Sequence, residues 1–264
     1  MVEATASLSG IRGCLLDLSG VLHVGAQPLP GAVAAVARLR RLPLALRFIT
    51  NTSRTPRAAI LGQLRRMGFA VSSDELITAP LVARTALENR GLRPYLLVHP
   101  DLRPDFGGVP THHPNAVVVG DAGTHFTYRR LNRALQILMT GAPFLAIANN
   151  RYFMDIDGLN LDAGAFVAGL EFASGRRAEV LGKPAPAVFL DACTAMNLEP
   201  SAVVMIGDDA HADVLGALDA GLQAILVKTG KFRESDAALV AGRARVLDDL
   251  TAVAECLETE SIRS

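Results

Sequence analysis

The sequence predicts an α/β fold: a mostly parallel sheet covered by helices, interrupted by a second α/β region. Three observations carry this. Short β-rich runs alternate with longer segments of helical period. The alternation occurs near both ends of the chain. The stretch between them has strands and helices of its own, separated by loops rich in Pro, Gly and His at 104–110 and 112–115.

The elements follow in order. Residues 11–17 read as a buried strand and 31–40 as a helix, with Val33, Val36, Ala37 and Leu39 or Arg40 near one face. A second buried strand spans 44–50. Pro56 suits a first helical turn, and Ile60, Leu61, Leu64 and Met67 then recur at helical spacing before Gly68. In the middle of the chain 95–98, 116–119 and 144–147 read as strands, and 127–140 and 163–174 as helices. The first rhythm then returns: a helix around 184–197, a strand at 202–206, a helix near 210–220, a strand at 223–228 and a last helix near 248–257. These patterns place an inserted α/β domain at 82–178 within a core made of 1–81 and 179–264.

Composition narrows the function classes. The 264 residues can bury a large core. The 26 basic residues balance 26 acidic ones, so no global field draws the chain to nucleic acid or an anionic membrane. Arg38, Arg40 and Arg41, with Arg65 and Arg66, read as solvated helix faces. Cys14, Cys193 and Cys256 are odd in number and lack a metal-ligand spacing, which fits buried small hydrophobes in a reducing compartment. No basic-then-apolar segment opens the chain and no apolar run is long enough to span a bilayer, so the expectation is a soluble cytoplasmic protein without a membrane partner.

Four polar clusters follow apolar runs. Asp17 ends the first strand, where a charge is costly unless a metal, donors or a reaction holds it. Thr50-Asn51-Thr52 follows the second strand, Gly182-Lys183-Pro184 follows Val180-Leu181, and Gly207-Asp208-Asp209 follows a strand of four hydrophobic residues. In an open parallel sheet such positions converge beyond the carboxyl ends of the strands. Two carboxylates meeting there repel unless a divalent cation lies between them, and an all-oxygen donor set points to Mg2+. Asp17 can then serve as ligand and as nucleophile toward phosphorus, giving an aspartyl-phosphate. Thr50 can donate to a phosphoryl oxygen and Lys183 can neutralise nucleophile and phosphate. Asp213, five residues beyond Asp208, can anchor metal-bound water or Lys183.

The ordered set Asp17-Leu18-Ser19-Gly20-Val21, Thr50-Asn51, Gly182-Lys183-Pro184 and Gly207-Asp208-Asp209 with Asp213 resembles the four motifs of haloacid dehalogenase-like phosphatases. The insertion resembles the α/β (C2-type) cap of the NagD-like branch, subfamily IIA. Within it, 93–98, 121–123 and 227–233 look most like the subgroup of phospholysine phosphohistidine inorganic pyrophosphate phosphatases and the related haloacid dehalogenase-like domain-containing proteins. The resemblance implies a Rossmann-like core and catalytic roles for Asp17, Thr50 and Lys183. It implies substrate contacts from Ser19, Gly20, Asn51 and Thr52, and Mg2+ held by Asp17, the Ser19 backbone carbonyl, Asp208 and, through water, Asp213. Asn150, Arg151 and Tyr152 match the cap's substrate-specificity loop. Relatives with this cap commonly pair through it, so the resemblance allows a homodimer through the cap and leaves the oligomeric state open.

One departure matters. Most phosphatases of this superfamily carry a second Asp two residues after the nucleophile, where this chain has Ser19. A serine hydroxyl is too weak an acid to protonate a leaving alkoxide. Pyrophosphate, phosphoramidate and aryl phosphate substrates are therefore expected to outperform alkyl phosphates. The competing reading is a catalytically weakened phosphate-binding or regulatory module; a phosphomutase and an interaction scaffold are more distant. Each residue also has an ordinary structural reading. Asp17 can end a strand, Asp208 can cap a helix, Lys183 can be solvated, and Thr50 with Asn51 can form a loop. His112 and His113 read as surface residues and His211 as solvated, while His23 follows the Asp17 turn.

Overall fold

The computed structural model describes residues 8–155 and 158–263. The chain divides into two compact units. One comprises Met1–Thr50, Leu61–Ile77 and Lys183–Ser264, the other Asn51–Ile60 and Thr78–Gly182.

The chain begins with β1 (Gly13–Asp17), a two-residue hairpin of β2 (His23–Val24) and β3 (Gln27–Pro28), helix α1 (Ala32–Leu39) and β4 (Ala45–Thr50). Next come α2 (Arg57–Arg66), β5 (Leu76–Thr78), α3 (Ala79–Asn89), β6 (Pro94–Leu97) and β7 (Ala116–Val119). These are followed by α4 (Tyr128–Leu138), β8 (Phe144–Ala146), β9 (Tyr152–Asp155), β10 (Gly158–Leu161), α5 (Ala163–Ser174) and β11 (Glu179–Val180). The last part holds α6 (Pro186–Met196), β12 (Val203–Gly207), a helical turn over Ala210–Leu215, α7 (Gly216–Asp219), β13 (Gln223–Val227), α8 (Glu234–Val240), β14 (Arg245–Leu247) and α9 (Leu250–Arg263).

Six strands form one sheet in the order β14-β13-β12-β1-β4-β5, and the pairings from β14 through β4 are all parallel. β1 and β12 are adjacent and buried along their whole length. That is why both read as unbroken apolar runs: a parallel strand covered on both faces has no polar side to alternate with. α1 buries Ala32, Ala35, Val36 and Leu39 and is tied to α9 through Arg38, whose Nη2 sits 2.6 Å from Glu258 Oε2. Cys14 is buried within β1, where loss of solvent pushes its thiol up to about 12, and all three cysteines are free. Among the described residues no helix is long and apolar enough to cross a membrane.

The second unit has its own four-stranded parallel sheet, β11-β8-β7-β6, with an apolar core that includes Val117, Val119, Ile137, Leu138 and Phe144. β9 and β10 form an antiparallel hairpin. α5 starts at Asp162, whose carboxylate accepts from the Ala163 amide, and stops at left-handed Gly175.

Several elements depart from the sequence reading. Residues 1–81 are not continuous in one unit: 51–60 group with the second. Two bonds distant in sequence tie this segment to the second unit: Ser53 Oγ accepts from the Asp121 amide at 3.3 Å and Asp105 accepts from the Arg57 amide at 2.9 Å. β5 and α3 form where no element was expected. Three strand residues are too few to show a period, although Thr78 caps α3 by accepting from Leu81 N and Pro80 lies in its first turn. α8 and β14 were also unassigned, and the helix near 210–220 is two short pieces. Tyr152 lies in β9 rather than in a loop, and part of 104–110 is helical, within Pro100–Phe106.

Candidate active site

The parallel order brings the carboxyl ends of β1, β4, β12 and β13 to one edge of the sheet. Asp17 is the last residue of β1, Thr50 the last of β4, and Asp208 follows β12. Asp17, Thr50, Lys183, Asp208 and Asp213 are all buried. A fully apolar strand has delivered a carboxylate to an interior that would otherwise exclude it.

Its partners lie close by. Lys183 Nζ donates to Asp17 Oδ1 at 2.7 Å and lies 2.6 Å from Asp213 Oδ1, so one buried ammonium bridges two buried carboxylates. Such a pair resists disruption, because removing either partner leaves a desolvated charge. Burial opposes the charge on Lys183, but Asp17 and Asp213 outweigh it and hold the ammonium above the usual lysine range. Burial pushes the Asp208 carboxyl up to about 6, with repulsion from Asp17 adding to it. Burial likewise pushes Asp213 up to about 7, against the pull of Lys183.

Carboxylate oxygens of Asp17, Asp208 and Asp213 all lie within 4.8 Å of one another. Asp208 Oδ2 accepts from the Lys231 amide at 2.7 Å, whereas its buried Oδ1 has no hydrogen-bond partner among the described residues. An orphaned carboxylate oxygen inside an all-oxygen cluster fits a hard divalent cation.

The turn after Asp17 is built around this cluster. Leu18 O accepts from the amides of Leu22 at 2.8 Å and His23 at 3.2 Å, while Gly20 N donates to His23 O at 2.8 Å. Gly20 has φ 89°, and a Cβ there would fall 1.9 Å from Asp208 Oδ2, so no other residue fits. The Ser19 side chain is exposed. His23 is half-buried and its Nδ1 donates to Gly25 O at 2.9 Å; burial lowers its pKa.

Asp209 caps the next helical turn: its Oδ1 accepts from the amides of His211 at 3.1 Å and Ala212 at 2.9 Å. Its own amide donates to Asp213 Oδ2 at 3.2 Å, which orients that carboxylate. His211 is exposed, as are His112 and His113.

Not every expected residue belongs to this unit. Asn51 and Thr52 fall in the second, where Asn51 Oδ1 lies so near Gly182 that a Cβ there would stand 2.7 Å from it. Asn150, Arg151 and Tyr152 are exposed residues of the second unit. The Asn150 carbonyl accepts from Gly164 N at 2.9 Å, which seats this loop on the start of α5. Conversely, Thr229, Gly230 and Lys231, which enter the sequence reading only within the 227–233 resemblance and with no site role, touch Gly20 and Asp208. Their position after a buried strand was the available signal.

A family model described as haloacid dehalogenase-like hydrolase matches residues 14–109, and a second, HAD-hydrolase-like, matches 180–253. The chain is 46% identical over 231 residues to human haloacid dehalogenase-like hydrolase domain-containing protein 2, covering 88% of this chain and 89% of that protein. It is 45% identical over 235 residues to human phospholysine phosphohistidine inorganic pyrophosphate phosphatase, covering 87% of each. Among solved structures, a 4-nitrophenylphosphatase from Thermotoga maritima superimposes with a TM-score of 0.86 at 26% identity, covering 94% of this chain and 98% of that one. A glycerol phosphate phosphatase from Mycobacterium tuberculosis in complex with magnesium gives 0.82 at 26% identity, over 92% and 76%. With both halves of the sheet matched and nearly half of the aligned residues identical, the chain belongs to the haloacid dehalogenase-like hydrolase family.

Proposed function

We propose that this chain is a Mg2+-dependent phosphatase of small phosphorylated compounds that works through an aspartyl-phosphate on Asp17. The observation that carries the reading is the buried Asp17–Lys183–Asp213 bridge beside the unpaired Asp208 oxygen. A structural ion pair needs one carboxylate per ammonium; this cluster has more acid than it can neutralise.

Asp17 and Asp208, the Ser19 carbonyl and, through water, Asp213 would hold Mg2+, which when bound supplies positive charge for the phosphoryl oxygens. An oxygen of Asp17 forms the new bond to phosphorus as the bond to the leaving group breaks; water then releases phosphate and restores the carboxylate. Lys183, 2.7 Å from Asp17, holds that carboxylate in place, and Thr50, buried at the end of β4, donates its hydroxyl to a phosphoryl oxygen.

Ser19 decides the substrate class. With no carboxylic acid two residues after Asp17, leaving groups that need little protonation are favoured: phosphate from pyrophosphate, a protonated amine from a phosphoramidate, or an aryl oxide. The pyrophosphate phosphatase and 4-nitrophenylphosphatase names of two similar proteins support this choice. The test is phosphate release by the purified chain with Mg2+, over pyrophosphate, a phosphoramidate, an aryl phosphate and glycerol phosphate. Release from the first three must exceed that from the alkyl ester and vanish with EDTA and in Asp17→Asn. Glycerol phosphate as the best substrate would overturn the substrate class. Phosphate binding without turnover would favour the weakened regulatory module.

A further inference from the structure

We infer that the loop after β13, Thr229-Gly230-Lys231, is a positioning latch that aims the free oxygen of Asp208 into the cation site. The inference rests on the metal reading above and goes beyond it, since none of the three residues is a ligand in that reading.

Three contacts join this loop to the two turns that carry the acids. The Thr229 hydroxyl donates to the Gly20 carbonyl, fastening the loop to the turn that follows Asp17. The Lys231 backbone N–H donates to Asp208 Oδ2 at 2.7 Å. Between them Gly230, at φ 58°, lies so close that an added Cβ would stand 2.0 Å from Asp208 Oδ2 and 2.5 Å from Gly20 Cα. The loop closes on itself through Phe232 N, which donates to Thr229 O at 3.1 Å. β13 pairs with β12 in parallel, so the loop leaves the sheet beside Asp208.

The division of labour follows from the two oxygens of Asp208. A carboxylate free to rotate offers either oxygen to a cation and loses rotamer entropy on binding. Here the Lys231 amide occupies Oδ2, so that, among the described residues, Oδ1 is left without a hydrogen-bond partner. The rotation is fixed before the cation arrives, and a preorganised ligand binds more tightly. The backbone of Lys231 does this, not its ammonium, which is exposed and lies 3.3 Å from Asp209 Oδ2.

This separates two substitutions at one position. Lys231→Ala keeps the N–H and Lys231→Pro deletes it. Thr229→Val deletes the hydroxyl at nearly constant volume, and Thr229→Ser restores it. Mg2+ binding to the intact chain, measured by titration calorimetry without substrate, is the readout, with thermal unfolding in EDTA to identify any variant that fails to fold. The expected dissociation constant rises about tenfold in Thr229→Val, the loss of one hydrogen bond to a buried site. It returns to within about threefold of wild type in Thr229→Ser and in Lys231→Ala, and rises in Lys231→Pro if that variant folds. Wild-type affinity in Thr229→Val, with the wild-type chain binding Mg2+, would overturn the latch alone. A wild-type chain that binds no Mg2+ would overturn the metal reading, and the latch with it.

Discussion

Replacing Lys183 by Met keeps most of the aliphatic volume and removes the ammonium. In the structure that ammonium stands 2.7 Å from Asp17 and 2.6 Å from Asp213, inside a cluster whose third carboxylate, Asp208, is also buried. Breaking a buried ion pair from one side costs about 3–5 kcal/mol. For a chain of this size each kcal/mol lowers Tm by about 2–4 °C, so the variant should melt roughly 6–20 °C below wild type at pH 8 without divalent cations. The gap should narrow at pH 5. Asp208 and Asp213 already sit near 6 and 7 with the lysine present, so at low pH they take up protons instead of remaining as unpaired charges. Calorimetric unfolding of the EDTA-treated proteins at both pH values is the assay. A Tm loss under about 2 °C at pH 8, or an equal loss at both pH values, would refute the argument that the bridge neutralises a desolvated cluster.

Two further outcomes follow from the same geometry. Asp208 and Asp213 rise from 3.8 to about 6 and about 7 on folding, so their contribution to stability is full below the unfolded value and lost as pH rises through the folded ones. Metal-free protein should therefore lose Tm between about pH 4 and 7 from these groups, and added Mg2+ should raise Tm more at pH 8 than at pH 5. A Mg2+ effect independent of pH would contradict this. Ser19→Asp places a carboxylic acid two residues after Asp17, on an exposed side chain. General acid catalysis supplies about 10²–10⁴-fold, so kcat/KM for an alkyl phosphate should rise relative to pyrophosphate, measured as a ratio in one enzyme preparation. An unchanged ratio would mean that leaving-group protonation does not set the preference.

Much of the site was legible because the strands that carry it are buried on both faces. Asp17 and Asp208 stand out against apolar runs, and the parallel topology implied by the alternating elements places such residues at one edge. Lys183 and Asp213 were legible as members of an ordered set. Thr229 and Lys231 were not, because their contacts come from one hydroxyl and one backbone amide, and no residue pattern encodes which amide will face Asp208. Their neighbourhood exists only once β13 lies beside β12. β5 escaped for a related reason: three residues cannot show a period, and its place in the sheet comes from β4. Residues 51–60 follow a core strand and include the first residues of α2, whose remainder groups with the core, so nothing in the nearby sequence signals that Ser53 and Arg57 bond to Asp121 and Asp105.

A nucleophilic Asp17 must become covalently phosphorylated during turnover. Acid quench of the wild-type chain during turnover of pyrophosphate or an aryl phosphate with Mg2+, followed by peptide mass spectrometry, tests it directly. A phosphoryl adduct is expected on the peptide containing Asp17, absent in Asp17→Asn and in EDTA. Full turnover by Asp17→Asn, or an adduct on any other residue, would contradict it.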